Sequence, residues 1–353
     1  MKNKTSILTL LLGAMIILAS CNSEEIPGVD FPAGDNMPIE FSGVHAWVDT
    51  KDGSGDDDEV GPTLPETFTG FKVWASRSYK DANNIDQIDT DVFSDGTEVL
   101  KEVAGESSVA WKYSPLRYWQ PGEYNFFAVS PTNISSSIPI GGDMGDSSLS
   151  LYFGESEGET YSGWDLKQNQ VDLLYASAPG VTGRFNSTNT PVNLTFDHML
   201  SKLSFSVGNK TTDKDITISA IKIYGNKKIA TSYTSSDTFA LNSVTSADNS
   251  YYEDSGLSYS LSAVAGGLIE YTTIISELFA FPEECNITVE LTISLDADAS
   301  GYTKSSTSTP VEWKAGKHYH YQINIAPDNV SFSEPLVVDW NNGGAADSDN
   351  IIM

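Results

Sequence analysis

Apolar side chains recur at every second position in one segment after another of this chain. The runs at 192–196 and 287–293 alternate apolar and polar residues, which places all the apolar side chains of a strand on one face. No segment has the i, i+3, i+4 spacing of an amphipathic helix. The spacing therefore predicts an all-β protein built from many short, half-buried antiparallel strands. Further runs lie at 39–41, 71–73, 109–113, 149–153, 203–207, 216–218 and 319–325.

Short polar residues and glycines separate the alternating runs. Clusters such as 143–148 favour turns, because their side chains are small and hydrogen-bond locally. The stretch at 180–190 is long and polar and lies between two predicted strands, so it favours a domain boundary. A chain of 353 residues is also longer than one hydrophobic core usually serves. We therefore expect two β-sandwiches, at 37–185 and 186–353.

The first 21 residues have the pattern of an export signal that ends in a lipid-attachment site. An apolar stretch at 7–18 follows two lysines and is too short to cross a bilayer as a helix. The run Leu18-Ala19-Ser20-Cys21 resembles a bacterial lipobox, in which the cysteine is acylated and becomes the new N-terminus. The alternative is an ordinary signal peptide with a coincidental cysteine. We expect a lipoprotein signal peptide at 1–20, lipid attachment at Cys21 and an acidic tether at 21–36.

The net charge and the cysteines exclude several classes of site and partner. The chain has 48 acidic and 20 basic residues, so phosphate backbones repel it and we expect no nucleic acid partner. The acidic run at 52–59 lacks the ligand spacing of a calcium loop and is interpreted as a solvated loop. Once Cys21 is acylated, only Cys285 remains, so no internal disulfide is expected. Cys285 is predicted to pack as a small hydrophobic residue, with a reactive thiol as the alternative.

Residues suited to catalysis or to metal binding are few. His318 and His320 have a spacing that metal sites use, but no third ligand can be named. Because Tyr319 and Tyr321 have the spacing of a core face, the pattern sends both histidines to solvent. His198 is expected to make a hydrogen bond at the end of a strand. No nucleophile elbow, phosphate loop or dinucleotide-binding glycine motif occurs, so we expect no enzyme activity, no metal and no cofactor.

The aromatic stretch at 111–121 has two interpretations. Flat rings next to an arginine suit the face of a sugar, which would make this stretch a binding platform. Period-two spacing from Val109 to Tyr113, followed by two prolines, favours instead a core strand that ends in a corner.

Seven stretches of the chain together resemble one known family. They are WKYSP at 111–115, YW at 118–119, YNFFAVSP at 124–131, DLLYA at 172–176, VNLTFDHMLSKL at 192–203, WKAGKHYHY at 313–321 and VVDW at 337–340. In their order these stretches resemble the fimbrillins, which are the type V pilins of Bacteroidota. The resemblance covers nearly the whole chain after the leader, and the lipobox agrees with it.

This resemblance implies a fold, a role and a route of assembly. It implies two transthyretin-like β-sandwiches in tandem and a role as a subunit of a surface fimbria. Members of the family are exported as lipoproteins, cut by a trypsin-like protease after a first strand, and polymerised by strand exchange. Loss of a strand exposes unpaired backbone groups and an apolar groove, which an extended segment of another subunit can fill.

By the same resemblance, the strand to be lost lies at 39–48, and Lys51 stands where the family commonly has the cleaved arginine. An arginine-specific protease would not cut at Lys51, and no arginine precedes Arg77, which lies in a predicted strand. Either a lysine-tolerant protease acts, or the subunit stays lipidated as an anchor or base component. The tail at 341–353 would donate the strand, although residues 343–347 lack alternating apolar side chains.

The sequence therefore predicts a non-enzymatic lipoprotein of the outer membrane and cell surface that is a structural or adhesive subunit of a fimbria. Its expected partners are other fimbrial subunits, the outer membrane through a lipid anchor, and host or bacterial surface ligands. The alternative, from another class of protein, is a monomeric surface lipoprotein that binds glycan or host protein without polymerising.

Overall fold

Strands account for the regular secondary structure throughout the part of the chain that the computed structural model describes, so the all-β prediction is confirmed. No helix in that part is long and apolar enough to span a membrane. The leader, Cys21, the acidic tether and the acidic run at 52–59 lie outside it. The described residues are 37–46, 68–104, 108–157, 160–182, 191–225, 228–234, 238–243, 250–264, 269–296, 301–326 and 328–340.

The strands follow the period-two spacing of the sequence, and in one of them buried and exposed side chains alternate from Val192 to His198. The strands of the first part of the chain are β1 (Phe41–Ala46), β2 (Gly70–Lys80), β3 (Asp86–Ala104), β4 (Ser108–Lys112), β5 (Glu123–Ser130), β6 (Asn133–Ser135), β7 (Ile138–Met144), β8 (Leu149–Phe153), β9 (Ser156–Glu157), β10 (Thr160–Tyr161), β11 (Trp164–Asp165), β12 (Leu174–Thr182) and β13 (Val192–His198).

The remaining strands are β14 (Ser201–Asn209), β15 (Ile216–Tyr224), β16 (Lys228–Thr234), β17 (Thr238–Ser243), β18 (Ser250–Asp254), β19 (Tyr259–Leu261), β20 (Tyr271–Ala280), β21 (Glu284–Cys285), β22 (Thr288–Leu295), β23 (Tyr302–Thr307), β24 (Val311–Glu312), β25 (Lys317–Ile325), β26 (Val330–Phe332) and β27 (Leu336–Asp339).

The largest sheet has seven strands in the order β1-β13-β12-β5-β2-β3-β4. Its two edges meet, because the loop that follows β4 forms backbone hydrogen bonds with the residues just before β1. The sheet therefore wraps around a core of its own, and that core is rich in aromatic rings. The rings include Phe41, Phe68, Phe71, Phe93, Trp119, Tyr124, Phe126 and Phe196.

A second sheet packs against the outer face of the first. Its strands run in the order β11-β16-β8-β7-β6, with β17 paired to β16. Trp74 and Phe127 of the seven-stranded sheet share a second core with Leu151 and Phe153 of this sheet. Two of its strands, β16 and β17, come from a part of the chain that the sequence assigned to the second sandwich.

Two five-stranded sheets form the C-terminal part and enclose a third core. One has the order β20-β14-β25-β26 with β27 also paired to β25, and the other has the order β18-β15-β22-β23 with β19 paired to β15. Their inward side chains are mostly aliphatic, such as Val207, Ile218, Leu291 and Ile323. This packing of two sheets face to face buries the alternating apolar residues that the sequence predicted.

The chain passes from the seven-stranded sheet to the C-terminal sheets at Met199 and Leu200. Strand β13 pairs with β12 and β1, whereas β14 pairs with β20 and β25. The predicted division between 185 and 186 falls in 183–190, outside the described residues. It stays a prediction, and the strand pairing puts the change of sheet after His198.

The expectation that His318 and His320 face solvent is wrong. Both side chains are buried, with exposed fractions of 5% and 7%. His318 Nε2 lies 2.7 Å from Ser204 Oγ, and the two ring nitrogens of His320 lie 2.8 Å from Ser204 Oγ and 3.0 Å from Ser206 Oγ. Ser204 and Ser206 lie on the neighbouring strand β14, on the same face of the sheet as the two histidines, and their hydroxyls satisfy the ring nitrogens they contact.

Candidate functional site

Strand β1 lies at one edge of the seven-stranded sheet and pairs, among the described strands, with β13 alone. The pair is parallel, with Phe41 opposite Val192 and Ala46 opposite Phe196. Val192 N donates a hydrogen bond of 2.7 Å to the carbonyl oxygen of Glu40. Because β1 is an edge strand, it can leave without breaking any other described strand pair.

A second wall holds the other side of the same segment. Ile39 N donates to Arg117 O at 2.8 Å, and Trp119 N donates to Met37 O at 3.0 Å. Pro38 and Tyr118 form an antiparallel bridge between these two bonds. Residues 37–42 therefore occupy a slot between β13 and the loop at 117–119, which we call the β1 seam.

Two apolar side chains anchor the segment in the β1 seam. Ile39 is fully buried and Phe41 is 5% exposed, while Glu40 between them is exposed. The Phe41 ring lies within 6.0 Å, centroid to centroid, of four other rings, and two of these contacts are edge-to-face at 87°. Burying each anchor contributes about 1.5–3 kcal/mol, and each ring pair adds about 0.5–1.5 kcal/mol. The four rings are Phe71, Phe93, Tyr113 and Phe126.

Tyr113 fixes the backbone of the segment through its hydroxyl group. The hydroxyl donates to Ile39 O at 2.7 Å and also lies 3.2 Å from Arg117 O. Burial raises the pKa of Tyr113 to about 12, so the hydroxyl keeps its proton and remains a donor near neutral pH. One side chain thus contacts both the segment and the second wall of the β1 seam.

The β1 seam holds an extended polypeptide segment through backbone hydrogen bonds and two buried apolar side chains. If residues 37–42 leave, β13 and the loop at 117–119 lose their hydrogen-bond partners, and the aromatic core loses the Phe41 ring. Such an opening combines unpaired backbone groups with an apolar groove, which favours addition of another extended segment.

Neither of the two site residues predicted from the sequence lies in the described part of the chain, since Cys21 and Lys51 both fall in ranges outside it. Arg77 is described, and it lies in β2 as predicted. Its side chain is 4% exposed and forms a 3.2 Å ion pair with Asp89 and a hydrogen bond with Gln120. A protease needs an extended, accessible segment, so Arg77 is protected in the folded protein.

The other residues singled out for chemistry have structural roles. His198 lies at the end of β13, where its Nδ1 is 2.8 Å from Asp172 Oδ1, and its ring stacks on Trp340. This confirms the predicted hydrogen bond at a strand end. Cys285 is 2% exposed in the C-terminal core, in agreement with its predicted packing. Within the described residues, no three ligands come close enough to hold a metal ion.

Sequence reasoning missed the second wall of the β1 seam. The strand predicted from Val109 to Tyr113 is β4, which ends at Lys112 and lies at a sheet edge, with Trp111 half-buried; Trp119 in the corner that follows is 5% exposed. The further role of this corner, to hold residues 37–39, depends on contacts across more than 70 positions of the chain. No spacing pattern reports such a contact.

A cleft of about 1200 Å³ lies between the seven-stranded sheet and the C-terminal sheets. Aromatic residues and charged residues of both signs line it, so it suits a ligand with both polar and apolar surfaces. Its lining includes Phe127, Tyr175, Tyr233, Trp340, Glu312 and Lys317.

A model of the fimbrillin-like family matches residues 69–340 of this chain. No curated protein matches this chain. The match covers β2 through Trp340 and therefore includes both walls of the β1 seam but not β1 itself.

Solved structures of fimbrial proteins are also similar to this chain. A fimbrial protein from Bacteroides vulgatus is 16% identical, with a TM-score of 0.47, and the alignment covers 77% of this chain and 93% of that one. The fimbrial anchor protein Mfa2 from Porphyromonas gingivalis is 11% identical, with a TM-score of 0.32 and coverage of 81% and 95%. A fimbrial assembly protein from Parabacteroides distasonis is 11% identical, with a TM-score of 0.29 and coverage of 77% and 91%.

Proposed function

The chain belongs to the fimbrillin-like family, and on that premise we propose that it is a structural or adhesive subunit of a cell-surface fimbria. In this proposal its two halves are transthyretin-like sandwiches in tandem. The precursor is exported as a lipoprotein, and Cys21 anchors it to the outer membrane. Its partners are other fimbrial subunits, with host or bacterial surface ligands as further partners. The role requires no catalytic group.

The observation that carries the proposal is the placement of β1. A strand at a sheet edge, anchored by two buried side chains and joined to β2 by the long connection at 47–67, is suited to removal. In the proposed assembly, proteolysis frees β1, and an extended segment of a neighbouring subunit takes its place in the β1 seam. Two apolar anchors of about 1.5–3 kcal/mol each would hold such a segment before ordering costs are subtracted.

Lys51 is the proposed processing site. It is the only basic residue between β1 and β2, so a trypsin-like protease has no alternative there. The burial and ion pair of Arg77 argue against cleavage at the first arginine. A lysine-tolerant protease is therefore required, and without one the subunit would stay lipidated as an anchor or base component.

The segment proposed to fill a neighbour's seam comes from the C-terminal end of the chain. The tail at 341–353 lies outside the described residues and carries strongly apolar residues only at Ile351, Ile352 and Met353. The strand before it, β27, is an edge strand in which Leu336, Val337 and Val338 are each at least 40% exposed. The exposed side chains of β27 support a role for this end of the chain in contacts between subunits.

Limited proteolysis tests the assembly step. We expect brief trypsin treatment of the soluble protein at 22–353 to produce a ladder of polymers on an unheated gel. Lys51→Ala should suppress the ladder, and Lys51→Arg should preserve it and make the protein a substrate for an arginine-specific protease. Lys80→Ala, at an exposed end of β2, is the matched control and should leave the ladder unchanged.

Two results would count against this assembly. If protein cut at Lys51 stays monomeric at high concentration, β1 is not the segment that blocks polymerisation. If the ladder persists in Lys51→Ala, processing occurs at another site.

Lipid attachment has its own test. Mass spectrometry of the newly processed protein should find a diacylated or triacylated N-terminal peptide that begins at Cys21. Cys21→Ala should leave an unprocessed precursor or a protein released from the membrane. A cleaved Cys21 without lipid would contradict the anchor.

The alternative function is a monomeric lipoprotein that binds glycan or host protein, and the cleft between the two halves favours it. Tyr175 would provide a ring surface, with Lys317 and Glu312 as polar contacts. Glycan-array binding by the uncut monomer, lost in Tyr175→Ala and retained in Lys51→Ala, would favour this alternative.

A further inference from the structure

We propose that the β1 seam selects the strand that replaces β1 by its direction and by the order of its side chains. The seam takes an extended segment of another subunit that runs parallel to β13. The segment carries a branched aliphatic residue and, two positions later, an aromatic residue. Residues 341–353 of this chain include no aromatic residue, so the segment belongs to a different fimbrial subunit. This inference rests on the proposed function, since it concerns the strand that enters after β1 has left, and it adds the chemistry of that strand and a residue that reads it.

The two walls of the β1 seam fix the direction of the bound strand. Residues 41–46 run parallel to β13, while residues 37–39 run antiparallel to the loop at 117–119. A reversed strand would be antiparallel to the first wall and parallel to the second. Because parallel and antiparallel pairs place their N–H and C=O groups differently, a reversed strand could not form the bonds that the native segment makes with Val192 N, Arg117 O and Trp119 N in this register.

The depth of the seam fixes the order of the anchors. Ile39 is fully buried, and Phe41 enters a pocket formed by four rings at 5.7 to 6.0 Å. Glu40, between them, is exposed and its side chain contributes no anchor. Successive side chains of a strand point to opposite faces, so an incoming segment must present its two anchors with one free position between them. A small residue at the second anchor would leave a cavity among the rings.

Tyr113 is the residue that sets the register of the strand. Its hydroxyl donates to the carbonyl oxygen of the residue at the first anchor, Ile39. A shift of one position would place the two anchor side chains on the outer face and would move that carbonyl away from the hydroxyl. Tyr113 also contacts the Phe41 ring, so one side chain contacts both the backbone and the second anchor of the bound strand.

A peptide-exchange experiment on the full chain tests the selection. A specific protease site replaces residues 52–59 and is cut, so that β1 stays bound but is no longer covalently attached. Fluorescent peptides are then tested for uptake by anisotropy. They are the sequence of 37–46, the same peptide with Phe41→Ala or Glu40→Gln, the reversed sequence, and a version with sulfur in place of the Ile39 carbonyl oxygen.

We expect the 37–46 peptide to exchange into the seam, and Phe41→Ala and the reversed sequence to bind at least about 100-fold more weakly. Glu40→Gln should bind within about 3-fold of the parent, because the Glu40 side chain is exposed. To the protein with Tyr113, the sulfur-substituted peptide should bind about 2- to 10-fold more weakly than the parent peptide. To Tyr113→Phe, the two peptides should bind equally well. If the sulfur weakens binding only when Tyr113 is present, then the Tyr113 hydroxyl binds the carbonyl of the incoming strand. A purely structural role of Tyr113 would not produce that difference.

The failures of the two proposals can be told apart. Equal uptake of all peptides would overturn selection by direction and side-chain order and would leave strand replacement standing. Uptake of no peptide, although size-exclusion chromatography shows that the original β1 fragment has dissociated, would overturn strand replacement itself and this inference with it.

Discussion

The two halves of the molecule each contain one parallel strand pair among their described strands, and the pairs are placed in opposite ways. In the seven-stranded sheet the pair β1 and β13 lies at the edge, and its outer strand is joined to β2 by the long connection at 47–67. In the C-terminal half the pair β14 and β25 lies in the interior, with β20 on one side and β26 and β27 on the other. The same type of pairing lies at a sheet edge in one half and in the sheet interior in the other.

The side-chain contacts that hold the two parallel pairs differ in the same way. Two anchors and one hydroxyl hold the segment that contains β1, whereas β14 and β25 pair at eight positions and are also joined by histidine and serine side chains. The N-terminal core is rich in aromatic rings, and Phe41 fills a pocket formed by four of them. The C-terminal core is mostly aliphatic and draws on both of its sheets. The comparison teaches that the same parallel pairing holds a strand by few contacts at a sheet edge and by many in the sheet interior.

The largest expected effect separates the two parallel pairs. Phe205→Ala, in the interior of β14, should lower the free energy of global unfolding by about 3–5 kcal/mol, because it leaves a cavity in a fully buried site. Phe41→Ala should instead increase local opening of β1 and change the global unfolding midpoint less. Denaturant titration and hydrogen exchange measure the two effects. If Phe41→Ala shifts the midpoint as far as Phe205→Ala does, β1 is part of one cooperative unit.

Two tyrosine-to-phenylalanine substitutions should show the same difference between the two pairs, with smaller changes in free energy. Tyr321 accepts a hydrogen bond from Trp313 Nε1 at 2.9 Å in the C-terminal core. Tyr321→Phe leaves that buried N–H unpaired and should lower the free energy of global unfolding by about 1–3 kcal/mol. Tyr113→Phe removes one donor to Ile39 O and should increase opening of β1 by about 0.5–1.5 kcal/mol. Hydrogen exchange of residues 39–42 should respond to Tyr113→Phe and not to Tyr321→Phe, and the opposite result would contradict the comparison.

The interior pair should also respond to pH. Burial lowers the pKa of His320 below its ordinary value. The unfolded chain therefore binds more protons than the folded chain once the pH falls below about 6.5, and stability declines from there down to the lowered pKa of the folded state. The slope is at most about 1.4 kcal/mol per pH unit for one group. Above about pH 6.5 the contribution of His320 is fully present.

Urea titrations from pH 7.5 to 5 measure this slope. His320→Gln, which keeps a hydrogen-bonding side chain, should flatten it. His318→Gln is the matched control, since both rings contact Ser204. If the slope survives in His320→Gln and disappears in His318→Gln, the titrating group has been assigned to the wrong ring.

The period-two spacing predicted much of this fold because it records which face of a strand is buried. Phe41 was recognised as a strand residue in this way, and so was the strand that contains Arg77. The same rule failed for His318 and His320, since it assumes that one face of a strand meets solvent. Both faces of β25 are buried at these positions, and the serines that contact the two histidines come from β14, more than 110 positions away in the chain.

The spacing of apolar residues could not predict the order of the strands in the sheets, for a related physical reason. The pairing of β16 with β8 and of β1 with β13 joins residues far apart in the chain. Which edges meet depends on packing in three dimensions, and a local pattern is compatible with several orders. The second wall of the β1 seam was missed on the same account, because Tyr113 and Ile39 are 74 positions apart.

The smallest expected effect concerns the edge strand of the C-terminal half, β27. The side chains of Lys317 and Asp339 form an ion pair that links β25 to β27, and both are at least 40% exposed. Exposed pairs contribute about 0–1 kcal/mol and are screened by salt, so Lys317→Met should change the free energy of unfolding by no more than that. The difference from the parent protein should vanish in 1 M NaCl. Lys214→Met, which removes an exposed pair with Asp296 away from β27, is the control. If Lys317→Met instead exposes β27 to hydrogen exchange while Lys214→Met does not, the ion pair holds this edge strand in place. β27 would then be a second releasable strand, and the contrast between a removable edge in one half and a locked pair in the other would no longer hold.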